Sequence, residues 1–138
     1  MGYYNALLKI LESFCHKKPR YNVRFQCPHC LGIIAIEDTE AGQAVSCGQC
    51  AHVVVVPASR VSPGAVIGDF VIQKKLGQGG VWVVYLAQQL SLDRLAALKV
   101  LNPEFSQDTA YVADFIREAR AAAHLNHPNI VQAYAVGE

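Results

Sequence analysis

Two short cysteine pairs, Cys27-Pro28-His29-Cys30 and Cys47-Gly48-Gln49-Cys50, stand in one stretch of the chain. Residues 31–46 lie between them, within the window of about 15–20 residues that separates the halves of a four-cysteine zinc site. Each pair places two thiols on one tight turn. A tetrahedral zinc ion takes four soft ligands, so the two turns must meet around it. Iron in the same sulfur set, or a redox dithiol–disulfide pair, would use the same residues. Zinc is the expected occupant, because the ligand set is complete and the sequence carries no export feature that favours disulfides. A closed site of this kind keeps no free coordination position, so the metal is expected to be structural. His29 and His52 adjoin the ligands and could replace a thiolate, but are expected to face solvent on the knuckles. Cys15, beside His16, is expected to sit on a helix face outside the metal set.

A second constellation lies downstream. Lys99 ends the run Ala96-Ala97-Leu98-Lys99, and Glu118 follows on a predicted helix. A lysine in a strand-lined, partly dry site loses its charge unless a carboxylate balances it. Glu118 lies on the flank of the helix's apolar stripe, beside Phe115 and Ala122, and can face a sheet while the stripe packs. Upstream is Leu76-Gly77-Gln78-Gly79-Gly80-Val81-Trp82-Val83-Val84-Tyr85. Glycines in such a hairpin let backbone amides approach an anion with no side chain between. Taken singly, each feature is ordinary: a surface lysine, a solvated glutamate, a glycine-rich turn. Their order along the chain is what carries information.

The elements that must position these groups follow from periodicity. Leu7, Leu8, Ile10, Leu11 and Phe14 mark one face of a short amphipathic helix within residues 1–20, ended by Lys17, Lys18 and Pro19. Residues 21–57 hold the cysteine pairs around β-rich sequence, with Val53-Val54-Val55-Val56 as a strand closed by Pro57. Residues 58–66, rich in Ser, Pro and Gly, read as a linker. From 67 to 138, strands are predicted over 70–76, 83–87, 95–101 and 130–136, with one helix over 109–125. Its apolar positions Val112, Phe115, Ile116, Ala119 and Ala123 keep helical spacing, and Pro128 lies just past its end. The fold class expected is α+β.

Bulk properties set limits. At 138 residues the chain holds one ordinary domain or two small ones, and 52% hydrophobic against 17% charged content leaves apolar surface for a partner. A net charge of +1 gives no electrostatic case for nucleic acid or an anionic membrane. Near the cysteines, Arg20, Arg24 and Arg60 are opposed by Glu37, Asp38 and Glu40, so a nucleic-acid role for that segment is a weak alternative. No apolar run approaches the ~20 residues that span a bilayer. The start lacks a signal peptide, and Ala6 stands where a myristoylation motif wants Ser or Thr, so a cytoplasmic chain is expected.

The order of glycine loop, strand, Ala-x-Lys, helix with Glu, and then His127-Pro128-Asn129-Ile130-Val131 resembles the N-terminal lobe of bacterial serine/threonine protein kinases. Leu-Gly-Gln-Gly-Gly, Val-Tyr-Leu-Ala and Arg117-Glu118-Ala119-Arg120 share that resemblance, which covers about residues 66–138. The cysteine segment resembles small zinc ribbons that precede such kinase domains. The resemblance implies an antiparallel sheet with one αC-type helix and an ATP site built from Leu76, Gly77, Gln78, Gly79, Gly80, Val84, Ala97, Lys99 and Glu118. Leu76 and Val84 would cap adenine, with Ala97 packed on it. Lys99, held by Glu118, would meet the α- and β-phosphates.

Two departures limit the implied activity. Trp82 stands at the third glycine position of the loop, where a bulky indole is expected to stiffen it and obstruct closure over the β- and γ-phosphates. The alternative is an indole turned to solvent. Second, the sequence has no His-Arg-Asp catalytic loop, Asp-Phe-Gly magnesium-binding triplet or Ala-Pro-Glu element. The expectation is weak ATP binding, no magnesium site and no phosphate transfer by this chain alone. In an intact kinase the partners would be protein substrates or regulators. The rival reading is a non-catalytic zinc-ribbon adaptor or pseudokinase-type protein-binding module.

Overall fold

The computed structural model describes residues 8–11, 22–37, 42–130, 132–133 and 135–137. The chain divides into two compact units. One comprises Lys18–Lys74 with Gln88–Asp93, the other Met1–Lys17, Lys75–Ala87 and Arg94–Glu138.

In the cysteine-bearing unit, strand β2 (Asn22–Gln26) pairs antiparallel with β3 (Ile33–Glu37), with Phe25 opposite Ile34. Strand β4 (Ala44–Ser46) pairs antiparallel with β5 (Val53–Val55). Successive side chains of a strand point to opposite faces. Accordingly Val23, Phe25 and Cys27 are buried while Arg24 is exposed, and Val54 is buried between exposed Val53 and Val55. These inward faces form one cluster of Val23, Phe25, Cys27, Cys47, Val54 and Val56.

Residues 58–66, expected as a linker, are in part built into this unit. Gly64 takes a left-handed φ of 86°, open to glycine at little cost, and turns the chain back on itself. Its N–H donates to the Ile72 carbonyl at 2.7 Å, and its own carbonyl accepts from Gln26 N–H at 2.9 Å. Ala65 then bridges Phe25 and is buried, as is Val66 in β6 (Val66–Ile67), which pairs with the start of β7 (Phe70–Gln78). Residues 58–63 have no regular secondary structure. The apolar Ala65-Val66 that follows belongs to the fold.

The other unit holds residues 75–78 of β7, residues 82–87 of β8 (Trp82–Gln89) and all of β9 (Arg94–Leu101), and in it these strands are consecutive neighbours. The helix α1 (Thr109–Ala123) follows, slightly shorter than its predicted span. The Asp108 carboxylate caps it, accepting from Ala110 N–H at 2.9 Å. At the far end the His124 and Leu125 N–H groups donate to Ala121 and Ala122 carbonyls, closing the last turn. Phe115 and Ala119 are buried against Leu101 of β9, with Val81, Trp82, Phe105 and Val112 packed around them.

One expectation is corrected here. Within the segment read as an N-terminal helix, Leu8–Leu11 forms a strand, β1. The rest of that segment, Cys15 and His16 included, lies outside the described residues. Strand β1 lies between β9 and β10 (Ala135–Gly137), parallel to both, with Ile10 opposite Lys99 and Val136. A four-residue run with three apolar residues cannot by periodicity alone be told from helix, and an unpaired strand edge that would otherwise leave its amides without partners decides it. Of the predicted strand over 130–136, Ala135–Gly137 is extended, while Ile130 closes a turn on His127.

Candidate functional site

The two cysteine turns have the same construction. In the first, Leu31 N–H donates to the Cys27 carbonyl at 2.9 Å and Cys27 N–H to the Gly32 carbonyl at 2.8 Å. In the second, Ala51 N–H donates to the Cys47 carbonyl at 2.8 Å and Cys47 N–H to the His52 carbonyl at 2.9 Å. The residue after each second cysteine is left-handed, Leu31 at φ 62° and Ala51 at φ 61°. Such backbone costs on the order of 1 kcal/mol at a non-glycine residue and persists where surrounding bonds fix it. Neither position could be recognised from its residue type.

These turns bring all four sulfurs within 4.8 Å of one another. Cys27 Sγ lies 3.7 Å from Cys50 Sγ, and Cys30 Sγ 3.7 Å from Cys47 Sγ. A disulfide requires about 2.05 Å. Four sulfurs at about 2.3 Å from a tetrahedral zinc are spaced by about 3.8 Å, so the donor set fits that ion. The electrostatics point the same way. Backbone N–H groups of Gln49 and then Cys50 hold the Cys47 thiol down, at about 6. Cys50 is pushed up to about 12: the His52 N–H draws it down, but burial and the Cys30, Cys47 and Cys27 thiols outweigh it. Crowded thiolates oppose one another's ionisation, and a divalent cation among them reverses that penalty. His29 and His52 do not join the sulfur cluster. Their rings stack on each other, centroids 4.1 Å apart, across the two turns.

Of the second constellation, Lys99 and Glu118 meet. Leu76, Gly77 and Gln78 lie in β7, Gly79 and Gly80 in the turn, Val84 in β8, and Ala97 and Lys99 in β9. Positions 97, 99 and 101 share one face of β9, the face that Leu101 turns to α1. Lys99 Nζ lies 3.2 Å from Glu118 Oε1, so the expected ion pair forms; the lysine is 9% exposed. Glu118 is reached because it lies one turn beyond Phe115, at the i+3 position of the same helix face. Leu76 is exposed, while Val84 and Ala97 are half-buried on their strands. The Gln78 side chain is engaged by the Lys75 ammonium.

Sequence reasoning left two neighbours of this pair undecided or unseen. Trp82 does not point to solvent. Its ring packs with the Leu101–Phe115–Ala119 cluster, 4.9 Å from Lys99 Nζ, and the Phe115 ring lies 5.3 Å from the same nitrogen. Asn102 anchors the turn, its N–H donating to the Val81 carbonyl at 2.8 Å and its side-chain amide to the Gly80 carbonyl at 3.2 Å. An asparagine at a strand end before Pro103 signals a turn, but not which loop it will hold.

No protein-family model matches the chain. Among curated proteins, it is 46% identical over 81 residues to the serine/threonine-protein kinase PknJ of Mycobacterium tuberculosis, covering 59% of this chain and 14% of that protein. To PrkC of Bacillus subtilis it is 42% identical over 71 residues, covering 51% of this chain and 11% of the relative. To pkn3 of Myxococcus xanthus it is 43% identical over 67 residues, covering 49% and 12%. The matched part thus spans about one-seventh or less of each relative's length. Over roughly half of its length this α+β chain is a relative of the bacterial serine/threonine protein kinases, and it carries a four-cysteine cluster able to hold a metal ion.

Proposed function

We propose that this chain is the ATP-binding N-terminal portion of a serine/threonine protein kinase, accompanied by a structural zinc ribbon. The observation that carries the reading is the buried Lys99 ammonium paired with Glu118 on the helix-facing side of β9, next to the glycine hairpin. In the kinase arrangement such a lysine meets the α- and β-phosphates, and the loop's bare amides cover them. Leu76, Val84 and Ala97 offer the apolar surfaces for adenine, and Gly77, Gln78, Gly79 and Gly80 the backbone for the phosphates. Cys27, Cys30, Cys47 and Cys50 hold zinc.

The base and the magnesium ligands of phosphoryl transfer are not among these 138 residues. This chain by itself therefore holds nucleotide weakly and transfers no phosphate. In the setting of a whole kinase, its partners are ATP and the protein hydroxyls that accept phosphate. No helix among the described residues is long and apolar enough to cross a membrane, and the proposed location is the cytoplasm.

Equilibrium dialysis of the purified chain against labelled ATP tests the reading. Saturable binding that Lys99→Met weakens about tenfold or more supports it. Binding indifferent to Lys99, or steady ATP turnover by the pure chain, overturns it.

A further inference from the structure

The Lys99 ammonium has three N–H donors. One direction is taken by Glu118, and two aromatic faces, Trp82 and Phe115, stand 4.9 and 5.3 Å from the nitrogen. With the lysine only 9% exposed, an incoming anion finds its approach already filled. The indole is held there from above. A Cβ built on Gly79 would lie 2.8 Å from Trp82 Cε2 and 2.9 Å from Cζ2, so the ring presses directly against the loop backbone. Gly79 is not among the described residues with left-handed φ. Its lack of a side chain is needed here for space alone, and it is the indole that uses the space. The turn is closed by Gly79 N–H donating to the Trp82 carbonyl at 2.8 Å, and is tied to the end of β9 through Asn102.

We propose that Trp82 is a built-in occupant of the phosphate side of this site. A cationic nitrogen over an indole face is a favourable pairing that phosphate oxygens must displace. Nucleotide phosphates therefore reach Lys99 only when the indole leaves. The nucleoside part, on Leu76, Val84 and Ala97, meets no such obstacle. Trp82 thus sets the affinity for phosphates and leaves that for adenosine unchanged. This rests on the reading of the site as a nucleotide site.

Trp82 is the single tryptophan of the chain, so its emission reports on this ring alone. The experiment titrates the full chain, wild type and Trp82→Gly, with ATP and with adenosine by equilibrium dialysis, and follows wild-type fluorescence with acrylamide quenching. The expected result is about tenfold tighter ATP binding by Trp82→Gly, adenosine affinity within twofold, and a red-shifted, more quenchable indole as ATP binds. Equal ATP affinity of the two proteins with unchanged emission overturns the plug and leaves the nucleotide site standing. Failure of both proteins to bind either ligand overturns the site itself, and the plug with it. Gly79→Ala supplies a ligand-free check: the added methyl should expel the ring and red-shift its emission, and an unmoved spectrum refutes the stacking against Gly79.

Discussion

Two of the six residues in the buried cluster of the cysteine-bearing unit are Cys27 and Cys47 themselves. In the helix-bearing unit the corresponding cluster, Leu101, Phe115 and Ala119 with Val81, Trp82, Phe105 and Val112 around it, holds no metal-ligating group. Around its sulfurs the first unit has strands of only three to five residues, so the cluster there is small and the cysteines make up a large share of it. The second has the eight-residue strand β9 and a capped fifteen-residue helix, and packs by ordinary hydrocarbon burial. In the first unit two of the candidate metal ligands are themselves members of the buried core. In the second the polar pair Lys99–Glu118 is placed by a core that stands without it. Cysteines make up part of the first core, whereas the Lys99–Glu118 pair lies beside a core made of hydrocarbon and aromatic side chains.

That contrast is tested most forcefully at the cysteines, under the proposal that they hold zinc. Structural zinc contributes on the order of 10 kcal/mol to the folding of small four-ligand modules. Chelation, or Cys47→Ser, should therefore unfold the cysteine-bearing unit while the helix-bearing one persists. Amide hydrogen exchange resolves the two outcomes: protection should vanish at Val23–Phe25 and Val54 and survive at Leu98, Leu101 and Phe115. Equal loss in both units would show that they fold as one cooperative body and would erase the distinction.

The same contrast explains which parts were readable in the sequence. Ligand type and spacing determine a four-cysteine site almost completely, because tetrahedral geometry leaves few alternatives, so the cluster of Cys27, Cys30, Cys47 and Cys50 was legible in full. Lys99 and Glu118 were legible through order along the chain, since alternation on β9 and the i+3 step from Phe115 aim both at one place. What escaped depends on contacts with no local signature. Leu8–Leu11 became a strand because the edge of β9 offered it hydrogen bonds, a tertiary effect that overrides a short apolar pattern. Leu31 and Ala51 took left-handed backbone without being glycine, because each turn must wrap amides toward a sulfur. The direction of Trp82 was decided by the space over Gly79, which only the folded hairpin reveals.

A core substitution sharpens the comparison from the other side. Phe115 is 5% exposed and joins β9 to α1. Truncating a buried phenylalanine costs about 3–5 kcal/mol, in lost transfer energy and in the cavity left behind. Phe115→Ala should thus lower the thermal midpoint of the helical signal in circular dichroism by well over 5 °C for a unit of this size. Metal content measured on the same sample should stay that of the wild type. A parallel loss of metal would mean that the cysteine cluster depends on the helix-bearing core.

The smallest effect concerns the helix alone. Asp108 precedes α1 with extended backbone, φ −90° and ψ 111°, and its carboxylate accepts from Ala110 N–H. The first-turn amides of a helix have no partners within it, and the first turn of α1 carries no acidic side chain that could substitute. Replacing such a cap by alanine costs about 1 kcal/mol. Asp108→Ala should accordingly move the chemical-denaturation midpoint of the helical signal slightly downward with an unchanged slope, since no core contact is lost. Because Glu118 lies beyond the second turn of the same helix, its distance to Lys99 should survive a frayed first turn. ATP affinity should then fall less than twofold. A larger fall would show that the carboxylate's position is set by the whole helix, cap included, and not by the packing of Phe115 and Ala119 on either side of it.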